Sequence, residues 1–336
     1  MSGESIISVK NLKTYFYSEG RCNKAVNGVS FEVKRGRTLC VVGESGCGKS
    51  VTASSIMRLL PRLSRIEEGE IVYHSEDKGD IFINELKKNG KEMRALRGKD
   101  IAMIFQDPMT ALNPVFKIGW QIVENIRNHE KVSRQEARQR TLELLTQMGI
   151  PEPEKRIDQY PHEYSGGMRQ RAMIAMAMSC SPKVILADEP TTALDVTIQA
   201  QIFELMDRLK KENDTAIVLI THDMGVVSEM ADDIIVMYMG NVIESGTARE
   251  VLKNPVHPYT RALLASIPVL GRGKEQQIEP IRGMTPNPYT RPKGCQFEPR
   301  CDYACEMCRE SMPEECLVDG THMTRCHCWQ EVMKNE

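Results

Sequence analysis

Three short runs of consecutive apolar residues punctuate the chain: Thr38-Leu39-Cys40-Val41-Val42, Val184-Ile185-Leu186-Ala187 and Ala216-Ile217-Val218-Leu219-Ile220. They are apolar at successive rather than alternate positions, so they read as parallel strands covered on both faces by helices. Between the second and third, Ile198, Ile202, Leu205, Met206 and Leu209 recur at helical spacing and predict a helix over residues 197–211. This strand–helix–strand alternation predicts an α/β sheet with reactive groups at the strand C-termini. Ser133-Arg134-Gln135-Glu136 has the form of a capping box, predicting a helix that runs to Met148 and stops at Gly149. It falls within a helical subdomain, about residues 107–168, inserted into the sheet domain. Gly240-Asn241 predicts a hairpin turn between strands at 234–239 and 242–244. Proline then becomes frequent, and the expected division is a main domain at 1–253 and an extension at 254–336. No internal repeat is visible, so the chain carries one such unit.

The turns after two of these strands carry the chemistry. Gly43-Glu44-Ser45-Gly46-Cys47-Gly48-Lys49-Ser50, continuing into Val51, matches the P-loop pattern and sits between a strand and a helix, as the pattern requires. Its glycines let backbone N–H groups turn inward on phosphates, and the following helix N-terminus adds partial positive charge. Lys49 supplies a cation to the β- and γ-phosphates, and the Ser50 hydroxyl can coordinate Mg²⁺. After the second strand, Asp188 is placed to hold Mg²⁺ and Glu189 to polarise an attacking water. Without the P-loop, the same two acids would read as a cap for the next helix. The fold class is therefore α/β, a P-loop NTPase (RecA-like) sheet core with an inserted helical subdomain and a small cysteine-rich C-terminal extension.

Composition narrows the partners. The net charge of −2 over 336 residues gives no basic excess to attract nucleic acid. No apolar run approaches the length of a membrane span, and Met1-Ser2-Gly3-Glu4-Ser5 lacks the basic and apolar start of a signal peptide. Any membrane role is expected to be peripheral. Of the 11 cysteines, Cys295, Cys301, Cys305, Cys308, Cys316, Cys326 and Cys328 crowd into the C-terminal region, where a metal site could form. Cys40 and Cys180 read as small core residues, and Met168, Met173, Met176 and Met178 as core packing.

Tyr164-Ser165-Gly166-Gly167-Met168, ahead of the Asp188-Glu189 strand, resembles the signature motif of ATP-binding cassette proteins. Gln106 resembles that family's Q-loop glutamine, Asp195 its D-loop residue and His222 its switch histidine. Phe16, flanked by Tyr15 and Tyr17, falls where an adenine-stacking aromatic would stand. Tyr164 replaces the usual leucine and Met168 the usual glutamine, while the phosphate-facing serine and glycines are intact. The resemblance implies ATP and Mg²⁺ as ligands, with Ser50, Gln106 and Asp188 around the metal. It also implies two cassettes closing head-to-tail, each ATP lying between one P-loop and the other subunit's Ser165-Gly166-Gly167. Glu189, His222 and Gln106 would be the catalytic set.

Further resemblance points to oligopeptide and dipeptide importer ATPases. It rests on Ser165-Gly166-Gly167-Met168-Arg169-Gln170-Arg171, on Asn254-Pro255-Val256-His257-Pro258-Tyr259-Thr260 and on Gly294-Cys295-Gln296-Phe297 with Pro299-Arg300-Cys301. From the residues alone, His257-Pro258-Tyr259 is a rigid turn with an aromatic plug or a recognition element. The resemblance implies two transmembrane permeases, a second and different ATPase subunit, an extracytoplasmic binding protein, and a place on the cytoplasmic face of the membrane. Nickel, metal-chelate and glutathione importers share the pattern, and a soluble cassette machine is the alternative from another class. The positions of Cys295, Cys301, Cys308 and Cys326, within about 294–328, match those that hold a [4Fe–4S] cluster in peptide-importer ATPases. Zinc is the alternative occupant, because Cys305-Glu306-Met307-Cys308 with Cys326-His327-Cys328 offers a tetrahedral thiolate set.

Overall fold

The structure is a computed structural model and describes residues 4–191, 194, 196–266 and 281–334, except for the side chain of Leu209. The chain divides into two compact units, the first built mainly from residues 85–219 and the second from 7–32, 38–84 and 220–336.

In the first unit the strands stand in the order Ala216–Ile220, Val184–Asp188, Ile101–Ile104. The last two are parallel, with Ile101 opposite Val184 and Ile104 opposite Ala187. Residues 184–188 and 216–220 are buried throughout, which is why their apolar runs do not alternate. The expected helix between them spans Val196–Asn213 and buries Ile202, Phe203, Leu205 and Met206. The expected helical subdomain supplies Ile118–His129 and Arg134–Gln147. Ser133 caps the second of these, its hydroxyl accepting from the Glu136 N–H at 3.1 Å. No helix among the described residues is long and apolar enough to cross a membrane.

In the second unit, Thr38–Val42 is fully buried and pairs in parallel with Asp233–Tyr238. That strand turns antiparallel into Asn241–Thr247. The turn sits one residue earlier than Gly240-Asn241. Met239 (φ 45°) and Gly240 (φ 80°) are its left-handed central residues, as a tight hairpin with the sheet's twist requires. Beyond Asn241–Thr247 lie His322–Thr324 and then Cys316–Asp319, so the cysteine-rich segment extends this sheet. The unit also contains an antiparallel sheet ordered Arg21–Lys34, Ser5–Ser18, Ser64–Ser75, Gly79–Phe82, which the apolar pattern did not reveal.

A buried polar knot closes the turn into the C-terminal extension. The N–H groups of Val256 and His257 donate to the Glu244 carboxylate at 2.8 and 3.0 Å, and His322 Nε2 lies 2.8 Å from it. His257 Nδ1 accepts from the Tyr259 N–H at 3.0 Å, which fixes an unprotonated nitrogen inside the protein. Burial holds the His257 pKa down at about 4, against an opposing pull from Glu244. Between pH 6.5 and 4 the unfolded chain therefore binds a proton that the folded chain refuses. Stability falls as pH drops through that window, by about 3 kcal/mol at most for this group. His257→Asn, which can still cap the helix Pro258–Ala265, is expected to flatten that pH dependence by about one proton's slope. Urea melts at pH 7 and pH 5 check this; an unchanged slope would remove His257 as the cause.

Candidate nucleotide site and cysteine cluster

In the second unit the P-loop leaves the buried strand Thr38–Val42 and enters the helix Lys49–Ile56. Gly43 (φ 146°) and Gly48 (φ 107°) are obligatory. A Cβ would lie 2.2 Å from the Met237 carbonyl oxygen at the first and 2.3 Å from that of Ala25 at the second. Lys49 is buried, and its Nζ donates to the carbonyl oxygens of Gly43 at 2.7 Å and Glu44 at 3.0 Å. These bonds fold the lysine back along the concave side of the loop, where phosphate oxygens would compete for the same donor. Cys47 is buried with its Sγ 3.7 Å from Lys49 Nζ, and Ser45, Gly46 and Ser50 face solvent. Val51 follows Ser50 in the first turn of the helix and is half-buried.

Also in this unit, Phe16 is half-buried on the strand Ser5–Ser18. Its neighbours are otherwise engaged, Tyr15 donating to Asn27 Oδ1 at 2.9 Å and Tyr17 to Glu67 at 2.8 Å. His222 is exposed just before the helix Met224–Met230, which Asp223 caps by accepting from Gly225 N–H at 2.8 Å.

In the first unit, Asp188 is buried at the end of its strand and Glu189 follows with φ 44°. A left-handed glutamate costs on the order of 1–3 kcal/mol, and such residues cluster at functional sites. Gln106 Nε2 donates to Glu189 Oε2 at 2.8 Å, so the two expected catalytic residues are in direct contact. Ser165 begins the helix Gly166–Met178 and accepts from the Met168 N–H at 3.3 Å. Nothing lies within 4 Å of a Cβ built on Gly166, leaving the helix N-terminus open to an anion. Tyr164, where leucine is usual, is buried and donates to the Arg156 carbonyl at 3.0 Å, so its hydroxyl has a partner. Burial pushes its pKa up to about 12. Gln170 joins this helix to the acidic segment by donating to the Pro190 carbonyl. Asp195 lies outside the described residues.

The C-terminal thiols gather in the second unit. Cys308, Cys326 and Cys328 form a buried group against which Cys295, Cys305, Tyr303 and Trp329 pack. Among the described residues, the sulfur atoms of Cys305, Cys308 and Cys328 all lie within 4.8 Å of one another, with Cys305 and Cys308 at 3.5 Å. Burial raises the thiol pKa of Cys295 to about 11 and those of Cys301 and Cys326 to about 12. Of the four cysteines marked by resemblance, Cys308 and Cys326 lie in this buried group and Cys295 packs against it. The three neighbouring sulfurs of Cys305, Cys308 and Cys328 could offer a cation a donor set once a bound metal displaced their protons. The sequence points to Cys305 and Cys328 as ligands only for the zinc alternative, Cys305 through its C-x-x-C with Cys308 and Cys328 through Cys326-His327-Cys328.

The ABC transporter family profile matches residues 26–192, and that of the oligopeptide/dipeptide transporter C-terminal region matches residues 243–308. The dipeptide transport ATP-binding protein DppD of Haemophilus influenzae is 46% identical over 323 residues, covering 96% of this chain and 95% of that protein. The oligopeptide transport ATP-binding protein OppD of Bacillus subtilis is 48% identical over 321 residues, covering 95% of this chain and 88% of that protein. The ATP-binding cassette MJ0796, solved as a post-hydrolysis dimer bound to ADP and Pi, superposes with a TM-score of 0.64 at 28% identity. That match covers 72% of this chain and 99% of MJ0796. The chain belongs to the ABC transporter family and is an ABC ATPase. Within that family it falls in the branch that carries the oligopeptide/dipeptide transporter C-terminal region.

Proposed function

We propose that this chain hydrolyses ATP to drive import of di- and oligopeptides through two partner permeases at the cytoplasmic face of the membrane. The observation that carries the reading is that the ABC transporter profile over residues 26–192 and the oligopeptide/dipeptide transporter C-terminal region over residues 243–308 match on one chain. Lys49 and the P-loop amides would hold the β- and γ-phosphates, and Ser50, Asp188 and Gln106 the Mg²⁺ environment. Glu189 would take the proton from the attacking water, with Gln106 and His222 positioning water and γ-phosphate. Ser165, Gly166 and Gly167 would face the ATP of a second cassette, and Phe16 the adenine. The second cassette is proposed to be a different chain, and an extracytoplasmic binding protein to deliver the peptide.

An exposed apolar patch in the helical subdomain supports a membrane partner. Phe116 and Trp120 stack at 4.3 Å and are 40% and 39% exposed, and the adjoining Val115 is 69% exposed. Aromatic side chains left in water at the rim of a helical subdomain are what a permease segment would cover. The test is uptake of a labelled dipeptide by cells lacking the gene and complemented with it. Restored uptake is the expected result; restored nickel uptake without peptide uptake would move the assignment to the metal-importing relatives.

The cysteine segment is proposed to hold a [4Fe–4S] cluster on Cys295, Cys301, Cys308 and Cys326. The reading rests on the positions of these four cysteines along the chain, and such a cluster would staple a segment with little apolar core. One observation favours zinc as the second reading. The close spacing of Cys305, Cys308 and Cys328 is near the roughly 3.8 Å edge of a tetrahedron with metal–sulfur bonds of about 2.3 Å. Anaerobic purification followed by iron, sulfide and zinc analysis decides. Iron and sulfide that vanish in Cys301→Ser support the cluster; zinc that vanishes in Cys305→Ser, with no iron in the parent, supports the mononuclear site.

A further inference from the structure

Glu44, the second residue of the P-loop, is held from two sides by the C-terminal extension. Its carboxylate takes a two-pronged ion pair from Arg300, with Nη1 to Oε2 at 2.6 Å and Nη2 to Oε1 at 3.0 Å. Thr285 adds a hydroxyl donor to Oε2 at 3.2 Å. The Glu44 backbone N–H donates to the Tyr259 hydroxyl oxygen at 2.8 Å, which turns that amide toward the extension. Arg300 is itself immobilised. Its side chain is 3% exposed, Nε donates to the Arg282 carbonyl at 2.9 Å, and Nη1 lies 3.3 Å from the Tyr238 hydroxyl. Its guanidinium lies 5.9 Å from the Tyr238 ring centre and 5.8 Å from that of Phe297. Tyr238, Tyr259 and Phe297 are all buried, with ring centres 4.8 to 5.4 Å apart, so the arginine is walled by aromatic side chains.

Such a planar, two-bond grip fixes orientation as well as distance, which a lysine cannot reproduce. It acts one residue from Gly43 and five from Lys49, on the loop whose carbonyls at Gly43 and Glu44 receive Lys49 Nζ. Arg300 also stands immediately before Cys301 and five residues after Cys295, within the cysteine-bearing segment. We propose that Arg300 is a positioning residue of the nucleotide site. Through Glu44 it fixes the P-loop in its phosphate-receiving form, so the C-terminal extension is a working part of the ATPase. The proposal rests on the P-loop as the ATP site and is independent of which metal the thiols hold.

The test is steady-state ATPase kinetics and equilibrium binding of a fluorescent ATP analogue with the full chain. The variants are Arg300→Lys, Arg300→Gln, Glu44→Gln and the Arg300→Gln/Glu44→Gln pair, with thermal melts and metal content measured alongside. Arg300→Gln and Glu44→Gln are each expected to raise the ATP KM and the analogue Kd by about tenfold while kcat stays within about threefold. Arg300→Lys should recover part of that loss. The double variant should be no weaker than either single one, because both remove the same bond. If Arg300→Gln does not fold, Glu44→Gln reads the same bond from the P-loop side. An unchanged KM in folded Glu44→Gln, or additive losses in the pair, would overturn the proposal. Loss of all nucleotide binding in the parent chain would instead remove the P-loop assignment.

Discussion

Glu189→Gln protein is expected to bind ATP with near-normal affinity and to hydrolyse it about 10²–10⁴-fold more slowly. The substitution keeps the shape of the side chain and its reach toward Gln106, which now donates to Glu189 Oε2 at 2.8 Å. It places no new demand on the backbone, because Gln meets the left-handed φ of 44° at the same cost as Glu. What it removes is the carboxylate that can accept a proton from water. The P-loop residues, with Lys49 Nζ on the Gly43 and Glu44 carbonyls, are not altered. Single-turnover hydrolysis and equilibrium binding separate the two effects. Normal turnover in this variant would take the general-base role away from Glu189.

Lys49→Met is expected to lower kcat/KM for ATP by about 10²–10³-fold, with binding of the nucleotide itself weakened. Lys49 is 5% exposed, so its aliphatic stem packs in the interior, and methionine preserves that apolar length. The change deletes the ammonium that bridges the Gly43 and Glu44 carbonyls at 2.7 and 3.0 Å. The melting temperature should move little compared with the loss of binding. Retained ATP affinity in a folded Lys49→Met protein would show that the phosphates sit elsewhere.

How much of this could be read from the sequence depended on how local each signal was. The strands at 38–42, 184–188 and 216–220, the helix after Ser133 and the P-loop were legible because burial and turn chemistry write themselves into adjacent residues. The sheet around Ser5–Ser18 was missed because its burial pattern is irregular and gives no clean period of two. The hairpin at 239–240 was placed one residue late because asparagine after glycine mimics the usual turn pair, whereas here Met239 takes the left-handed position. The grip of Arg300 on Glu44 joins residues 256 apart, and no window along the chain contains both. Its only trace was the Pro299-Arg300-Cys301 segment, quoted for resemblance and without a physical role.

The central claim is that this ABC ATPase energises a peptide importer, and the most direct test is to catch it at work. Tagged Glu189→Gln protein would be recovered with ATP from gently solubilised native membranes, and its companions identified by mass spectrometry. Two permeases, a second ATPase and a peptide-binding protein are the expected companions. Recovery from the cytosol with ribosomes, DNA enzymes or cluster-assembly proteins would contradict the account, leaving an ATPase that serves another machine.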